Sequence, residues 1–199
     1  MYRLDYNPIT KRWNERMLNK TKEIIDLINA PIGKENFKKL KASKCPVMDG
    51  DIFVCTINGE VYYYGKVIEA NLKHASDEWI DGCHLVCIFR EKTGAKDLKE
   101  YSGNYNNLLV EPSIVTIDYW RKGWFETIGN IPLTQKDKNL DYGFWDADFI
   151  GKGGVFKKAD GEVLNHKPKY FNSYGVTSLQ GVYMDLRMET ILDPSLLTK

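Results

Sequence analysis

The sequence predicts an α+β protein with a twisted, mostly antiparallel β-sheet or a partly open SH3-like barrel, short N-terminal helices and a C-terminal helix. Three observations lead to this fold class. Apolar runs typical of strands recur between residues 50 and 129, an Asn58-Gly59 pair separates the first two, and helical periodicity is confined to the chain ends. Aromatic residues, which are enriched in strands, make up 13% of the 199 residues.

The excess positive charge lies at the N-terminus. Residues 1–44 contain 11 Lys and Arg against 5 Asp and Glu, whereas residues 45–199 contain 17 against 22. We therefore divide the chain into a basic helical extension, residues 1–45, and a β-rich domain, residues 46–199. A basic arm and an acidic body either attract each other or serve different partners.

Two short helices are expected in the extension, after some twenty polar residues. Thr21 is a suitable N-cap for the first, and its apolar residues recur at helical spacing up to Ile28. The second covers residues 33–43, with Phe37 and Leu40 as its anchors.

Five strands are expected next. In the hairpin between the first two, both Asn58 and Gly59 are expected to adopt positive φ. The third is apolar enough to lie inside a sheet, and the fifth is expected to pair back on the fourth across Arg121–Gly123. The five runs are residues 50–57, 60–70, 84–90, 113–120 and 123–129.

The remaining residues predict shorter elements. Residues 91–107 read as a polar loop with one helical turn, and residues 149–164 as two short strands with turns at 151–154 and 160–161. Apolar residues at helical spacing from Leu179 to Leu186 predict the C-terminal helix.

Residues suited to catalysis are few. The three histidines, His74, His84 and His166, lie in no nucleophile or zinc motif, so we interpret them as structural. None of the four cysteines forms a Cys-x-x-Cys pair, and we expect them to be reduced, mostly buried and cytosolic, with a disulfide as the alternative. We expect no cleaved leader, no membrane span, no metal and no cofactor. The cysteines are Cys45, Cys55, Cys83 and Cys87.

Two features raise the possibility of binding a polymer or a protein. Tyr62–Tyr64 could stack nucleic-acid bases, but the body that carries them is net negative, so nucleic acid is not the favoured partner. Residues 137–148 carry four aspartates against one lysine, which indicates a solvated loop or a surface for a basic partner.

The run from Trp120 to Phe125 is rich in aromatic residues. We favour a core position for it, while the competing interpretation exposes Trp120 as an interface anchor. The candidate contacts with a partner are therefore Asp137, Asp141, Asp146, Asp148 and Trp120.

Motifs in one order carry a resemblance to a known family. They are "GDIF" at residue 50, "YYGKV" at residue 63, the apolar strand at Leu85–Phe89, and "WRKGWFETIGNIPL" at residue 120. Together these motifs resemble the immunity protein 26 family of bacterial polymorphic toxin systems, over about residues 48–192.

The resemblance implies a cytoplasmic protein that binds and neutralises a cognate toxin domain without catalysis. An acidic segment would suit a basic, nuclease-type toxin. Some relatives are labelled organophosphate hydrolases, so a metal-dependent hydrolase is the alternative, and a nucleic-acid-binding module acting through the basic arm is another.

Overall fold

The computed structural model describes residues 7–30, 38–74, 77–148 and 153–198. Two 3₁₀ turns accompany the helices and strands, at Tyr105–Asn107 and Pro194–Leu197. The helices are α1 (Pro8–Met17), α2 (Lys22–Asn29), α3 (Asp118–Arg121), α4 (Gln135–Lys138) and α5 (Leu179–Leu192). The strands are β1 (Asp51–Cys55), β2 (Tyr62–Glu69), β3 (His84–Thr93), β4 (Leu108–Val115), β5 (Glu126–Asn130), β6 (Tyr142–Ala147), β7 (Gly154–Lys157) and β8 (Tyr170–Ser173).

These strands form two sheets. The larger is antiparallel with the order β4-β3-β2-β1-β5, and the smaller has the order β7-β6-β8, in which β6 and β8 are parallel. The predicted α+β class is confirmed, with short helices before the main sheet and a long one at the C-terminus. The described strands do not close into a barrel.

The larger sheet is covered on both faces. Phe53 packs in one cluster with Val182 and Leu186 of α5, whereas the neighbouring Ile52 packs in a second cluster with Phe144 of β6. Successive side chains of a strand point to opposite faces, so every residue of β1 is buried. Burial on both faces explains why the strands of this sheet read as continuous apolar runs.

The hairpin between β1 and β2 is present, but its turn differs from the prediction. The last paired residues are Cys55 and Tyr63, so the loop is longer than two residues. Gly59 has φ of +82°, whereas Asn58 does not have a positive φ. Instead, the Asn58 side chain accepts hydrogen bonds from the backbone N–H groups of Glu60 and Val61 at 2.9 and 3.1 Å. Loop closure thus depends on side-chain hydrogen bonds.

The predicted pairing of the fourth and fifth strands is wrong. Strand β4 ends at Val115, the chain forms α3, and β5 then pairs with β1 at the opposite edge. Gly123 makes the turn at φ of +72°, and a Cβ there would lie 2.5 Å from the backbone oxygen of Leu40. Only glycine tolerates both conditions, so the turn between α3 and β5 requires it here.

The N-terminal helices are confirmed in part. Helix α2 begins after the predicted cap, Thr21, whose side chain accepts a hydrogen bond from the N–H of Ile24. The prediction of the second helix is wrong for residues 38–43, which the structure describes and which are not helical. The N–H of Leu40 donates instead to the backbone oxygen of Gly123. Residues 33–37, including Phe37, lie outside the described residues. The first twenty residues contain an unpredicted helix, α1, capped by Asn7.

The C-terminal half contains more strands than the prediction allowed. Strand β7 and the Gly161 turn, at φ of +91°, are confirmed. The second strand of that prediction is reduced to an isolated bridge at Val163, and the predicted turn at 151–154 lies partly outside the described residues. Residues 137–148 form α4 and β6 rather than a loop, and the predicted C-terminal helix is confirmed as α5.

Candidate functional site

The aromatic run after β4 belongs to the core. Trp120 is only 1% exposed, and its ring packs edge-on against Phe53. Its indole N–H donates to the hydroxyl of Thr127 at 3.0 Å, so the one polar atom of the ring is satisfied. The core interpretation is confirmed, and Trp120 cannot contact a partner unless the protein unfolds locally.

Asp137 is also buried, at 5% exposure. Its carboxylate pairs with the Lys66 ammonium at 3.0 Å and accepts hydrogen bonds from the hydroxyls of Tyr105 and Thr134. Burial acts to raise the pKa of Asp137, but these hydrogen bonds outweigh it and lower the pKa to about 2. The residue therefore fastens α4 to β2, and it offers no charge to the surface.

The other three predicted aspartates stand on or beside β6, where they are at least partly exposed. Asp141 precedes the strand and accepts a hydrogen bond from His166 at 2.9 Å, which lowers the pKa of Asp141. Asp146 pairs with Lys157 at 2.6 Å near the other end, and Asp148 follows the strand. The structure thus separates Asp141 from the other two, and their role as partner contacts stays a prediction.

Trp79 is the most exposed large apolar side chain of the described residues, at 87%. It lies between β2 and β3 in the segment Asp77–Gly82, which carries three carboxylates and no lysine or arginine. The next residue, Ile80, is fully buried and joins the second core cluster. One apolar residue of the pair therefore fixes the segment to the body, and the other projects into solvent.

Carboxylates from separate parts of the chain act on one tyrosine, Tyr174, together with this segment. Burial raises the pKa of Tyr174 to about 12, and Asp77, Asp146 and Asp160 each contribute to the rise. Contacts join the segment to the same tyrosine: the N–H of His74 donates to the Asp81 carboxylate at 3.3 Å, and the His74 ring forms a 2.7 Å hydrogen bond with the Tyr174 hydroxyl. We call the set formed by Asp77, Glu78, Asp81, Asp146 and Asp160 the acidic face.

The acidic face is only partly neutralised. Lys157 pairs with Asp146 and lies 5.1 Å from the centre of the Tyr174 ring, and Lys73 lies 3.8 Å from Asp81. Sequence reasoning found Asp146 but missed Trp79, although a tryptophan between carboxylates in "DEWIDG" is a visible signal. The pattern could not show which of Trp79 and Ile80 enters the core.

A second charged region joins the N-terminal arm to the body. The buried carboxylate of Glu189 on α5 pairs with Arg16 of α1 at 2.5 Å and with Arg90 of β3 at 2.7 Å. Nearby, Arg12 lies 3.4 Å from Glu111. The arm and the acidic body therefore attract each other within one molecule, across a cleft of about 490 Å³ between α1, α2 and α5.

Within residues 7–30, 38–74, 77–148 and 153–198, no group of three or more His, Cys, Asp or Glu side chains could hold a metal ion. The four cysteines are free, and all except Cys45 are buried. None of the described helices is long and apolar enough to span a bilayer.

Comparison with known proteins gives one match. A family described as Immunity protein 26 matches residues 48–149, which is about half of the chain. The matched region contains the larger sheet, α3, α4, β6 and the Trp79 segment, and it ends well before residue 192, the limit that the sequence motifs indicated. Neither the curated proteins nor the solved structures contain a match.

Proposed function

We propose, because the chain belongs to the immunity protein 26 family, that it binds a cognate bacterial toxin domain and neutralises it without catalysis. Membership of the family makes it an immunity protein and implies a toxin as partner. The proposed step is direct, stoichiometric binding in the cytoplasm of the cell that carries the toxin. The family match is the observation that carries this proposal, and it supports neither the hydrolase nor the nucleic-acid-binding alternative.

The charge distribution supports a basic toxin. Asp146, a member of the acidic face, and Asp148 stand at the end of β6, whereas Asp141 precedes its start. We propose these three as toxin contacts, since carboxylates steer a positively charged partner towards them. A nuclease has a positive cleft for phosphates, so such a cleft is a suitable target for carboxylates that take the place of the nucleic acid.

Affinity capture tests the proposal. The tagged protein is incubated with a lysate of its own host, washed at moderate salt and eluted, and the bound proteins are identified by mass spectrometry. We expect one near-stoichiometric partner that carries a toxin domain. The proposal would be rejected if the toxin is shown to be present in the lysate and the tagged protein retains nothing.

A further inference from the structure

We infer that Trp79 anchors the toxin interface, and that the surface it enters on the partner is a basic protein surface with an apolar pocket. This inference rests on the proposed function and adds a contact point and a partner chemistry to it. Two independent features carry it: a large apolar side chain held in solvent by an ordered segment, and the sign of the charges around it.

The exposure of Trp79 is unusual for its chemistry. Moving the apolar surface of a tryptophan side chain out of water is favourable. Even so, 87% of the Trp79 side chain is exposed to solvent. The buried Ile80 shows that the segment can deliver an apolar side chain to the core at the adjacent position. Tryptophan is one of the residue types enriched at the hot spots of protein interfaces.

Hydrogen bonds within the chain brace the backbone that carries Trp79. The N–H of Trp79 donates to the Asp77 carboxylate at 3.0 Å, and the N–H of Ile80 donates to the Asp77 backbone oxygen at 3.1 Å. At the end of the segment, Leu72 exchanges two backbone bonds of 2.8 Å with Gly82 and Cys83. Little backbone entropy remains to be lost on binding, and preorganisation of this kind favours affinity.

The surrounding charges select among the possible partners. Asp77, Glu78 and Asp81 flank Trp79 within its own segment. The N–H of His74 donates to Asp81 and its ring forms a hydrogen bond with the Tyr174 hydroxyl, while Lys157, the partner of Asp146, lies 5.1 Å from the centre of the Tyr174 ring. A second copy of the chain would bring this surface against itself, because a two-fold interface pairs like with like, and the carboxylates would repel. Nucleic acids and anionic lipids meet the same repulsion. A basic protein surface gains from these charges instead, and it can supply the pocket for the indole.

Two variants and two matched controls test the inference. Trp79→Ala removes the anchor, and Glu78→Lys reverses a charge beside it, since Glu78 is exposed. Leu18→Ala truncates an apolar side chain of similar exposure, 80%, on the arm, and Glu60→Lys reverses an exposed charge in the β1–β2 loop. All four positions are exposed, so we expect each variant to keep the wild-type melting temperature.

Binding is measured by calorimetry or interferometry against the toxin-domain protein recovered by affinity capture and then purified. We expect Trp79→Ala to raise Kd by about 30-fold or more, the loss typical of a hot spot. We expect Glu78→Lys to slow association and to weaken the salt dependence of the on-rate. Both controls should stay within about twofold of the wild type.

The outcomes separate this inference from the function on which it rests. Wild-type binding that Trp79→Ala and Glu78→Lys leave unchanged would overturn the inference and leave the immunity function standing. Failure of the wild type to capture a toxin would overturn both the inference and the immunity function. Trp79-dependent binding to a labelled single-stranded oligonucleotide, or to vesicles of phosphatidylcholine and phosphatidylserine, would assign the surface to another class of ligand and overturn the inference as well.

Discussion

Replacing Asp137 with asparagine should destabilise the protein severely, because it leaves the Lys66 ammonium buried without its counter-charge. The two side chains are only 4% and 5% exposed and lie 3.0 Å apart. Removing one member of a buried ion pair costs about 3–5 kcal/mol. At roughly 2–4 °C per kcal/mol for a chain of this size, the melting temperature should fall by about 6–20 °C.

Urea denaturation of the wild type and three variants tests the reasoning. Asp137→Asn is compared with the wild type, with Asp118→Asn, which removes the exposed pair with Lys122, and with the double variant Lys66→Met/Asp137→Asn. We expect the exposed pair to contribute less than about 1 kcal/mol, and the double variant to recover much of the loss because no unpaired charge stays buried. Equal costs for Asp137→Asn and Asp118→Asn would refute the claim that the pair is desolvated.

The same pair has a defined pH dependence. The pKa of Asp137 is lowered to about 2 in the folded protein, against about 3.9 for an unperturbed aspartate. The folded state therefore favours the ionised form, and the stabilisation is present above pH 4 and is lost as pH falls from about 4 towards 2. The difference in unfolding free energy between the wild type and Asp137→Asn should shrink over that interval.

Three further predictions concern the core and the arm. Trp120→Ala should cost about 3–5 kcal/mol in urea denaturation, because it removes a ring that is 1% exposed, while toxin binding persists at temperatures where the variant is folded; unchanged stability would contradict the core assignment. Burial raises the pKa of Asp185 on α5 to about 6, so the folded protein favours the protonated carboxyl. The contribution of Asp185 to the free energy of unfolding is therefore full below pH 4 and is lost as pH rises through 6. Asp185→Asn should raise the free energy of unfolding at pH 7.5 and flatten the dependence of that free energy on pH between 4 and 6. None of the residues of α1 is fully buried, so Arg12→Ala/Arg16→Ala should speed amide hydrogen exchange in this helix. The control Lys11→Ala removes an ion pair within α1 and should leave the exchange unchanged. Equal protection of α1 in both variants would show that these arginines do not hold the arm.

The sequence predicted those parts of the fold that local pattern determines. Strands β1, β2 and β3 and helix α5 follow from runs of apolar residues and from helical spacing. The pairing of β5 with β1 could not be predicted, because it joins strands that are far apart in the chain. The turn before β5 likewise packs Gly123 against Leu40, more than eighty residues earlier. Strand β8 was missed since its four residues carry no periodicity.

The candidate site was predicted less well, for a related reason. Asp137 reads as one of four acidic residues in a polar run, and only the fold brings Lys66 to it from another strand. In the pair Trp79–Ile80, both residues are apolar, and the choice of which one is buried depends on the packing of the second core cluster. Position along the sequence indicates which charges exist, whereas exposure decides which of them can meet a partner.

Protection of living cells tests the central claim most directly. The captured toxin domain is expressed from an inducible promoter in a host that lacks this protein, alone or together with the wild-type chain, Trp79→Ala or Glu60→Lys. We expect growth arrest with the toxin alone, recovery with the wild type and with Glu60→Lys, and loss of protection with Trp79→Ala at equal protein levels. Arrest that the wild-type chain does not relieve, although the two proteins are both present and folded, would contradict its function as an immunity protein.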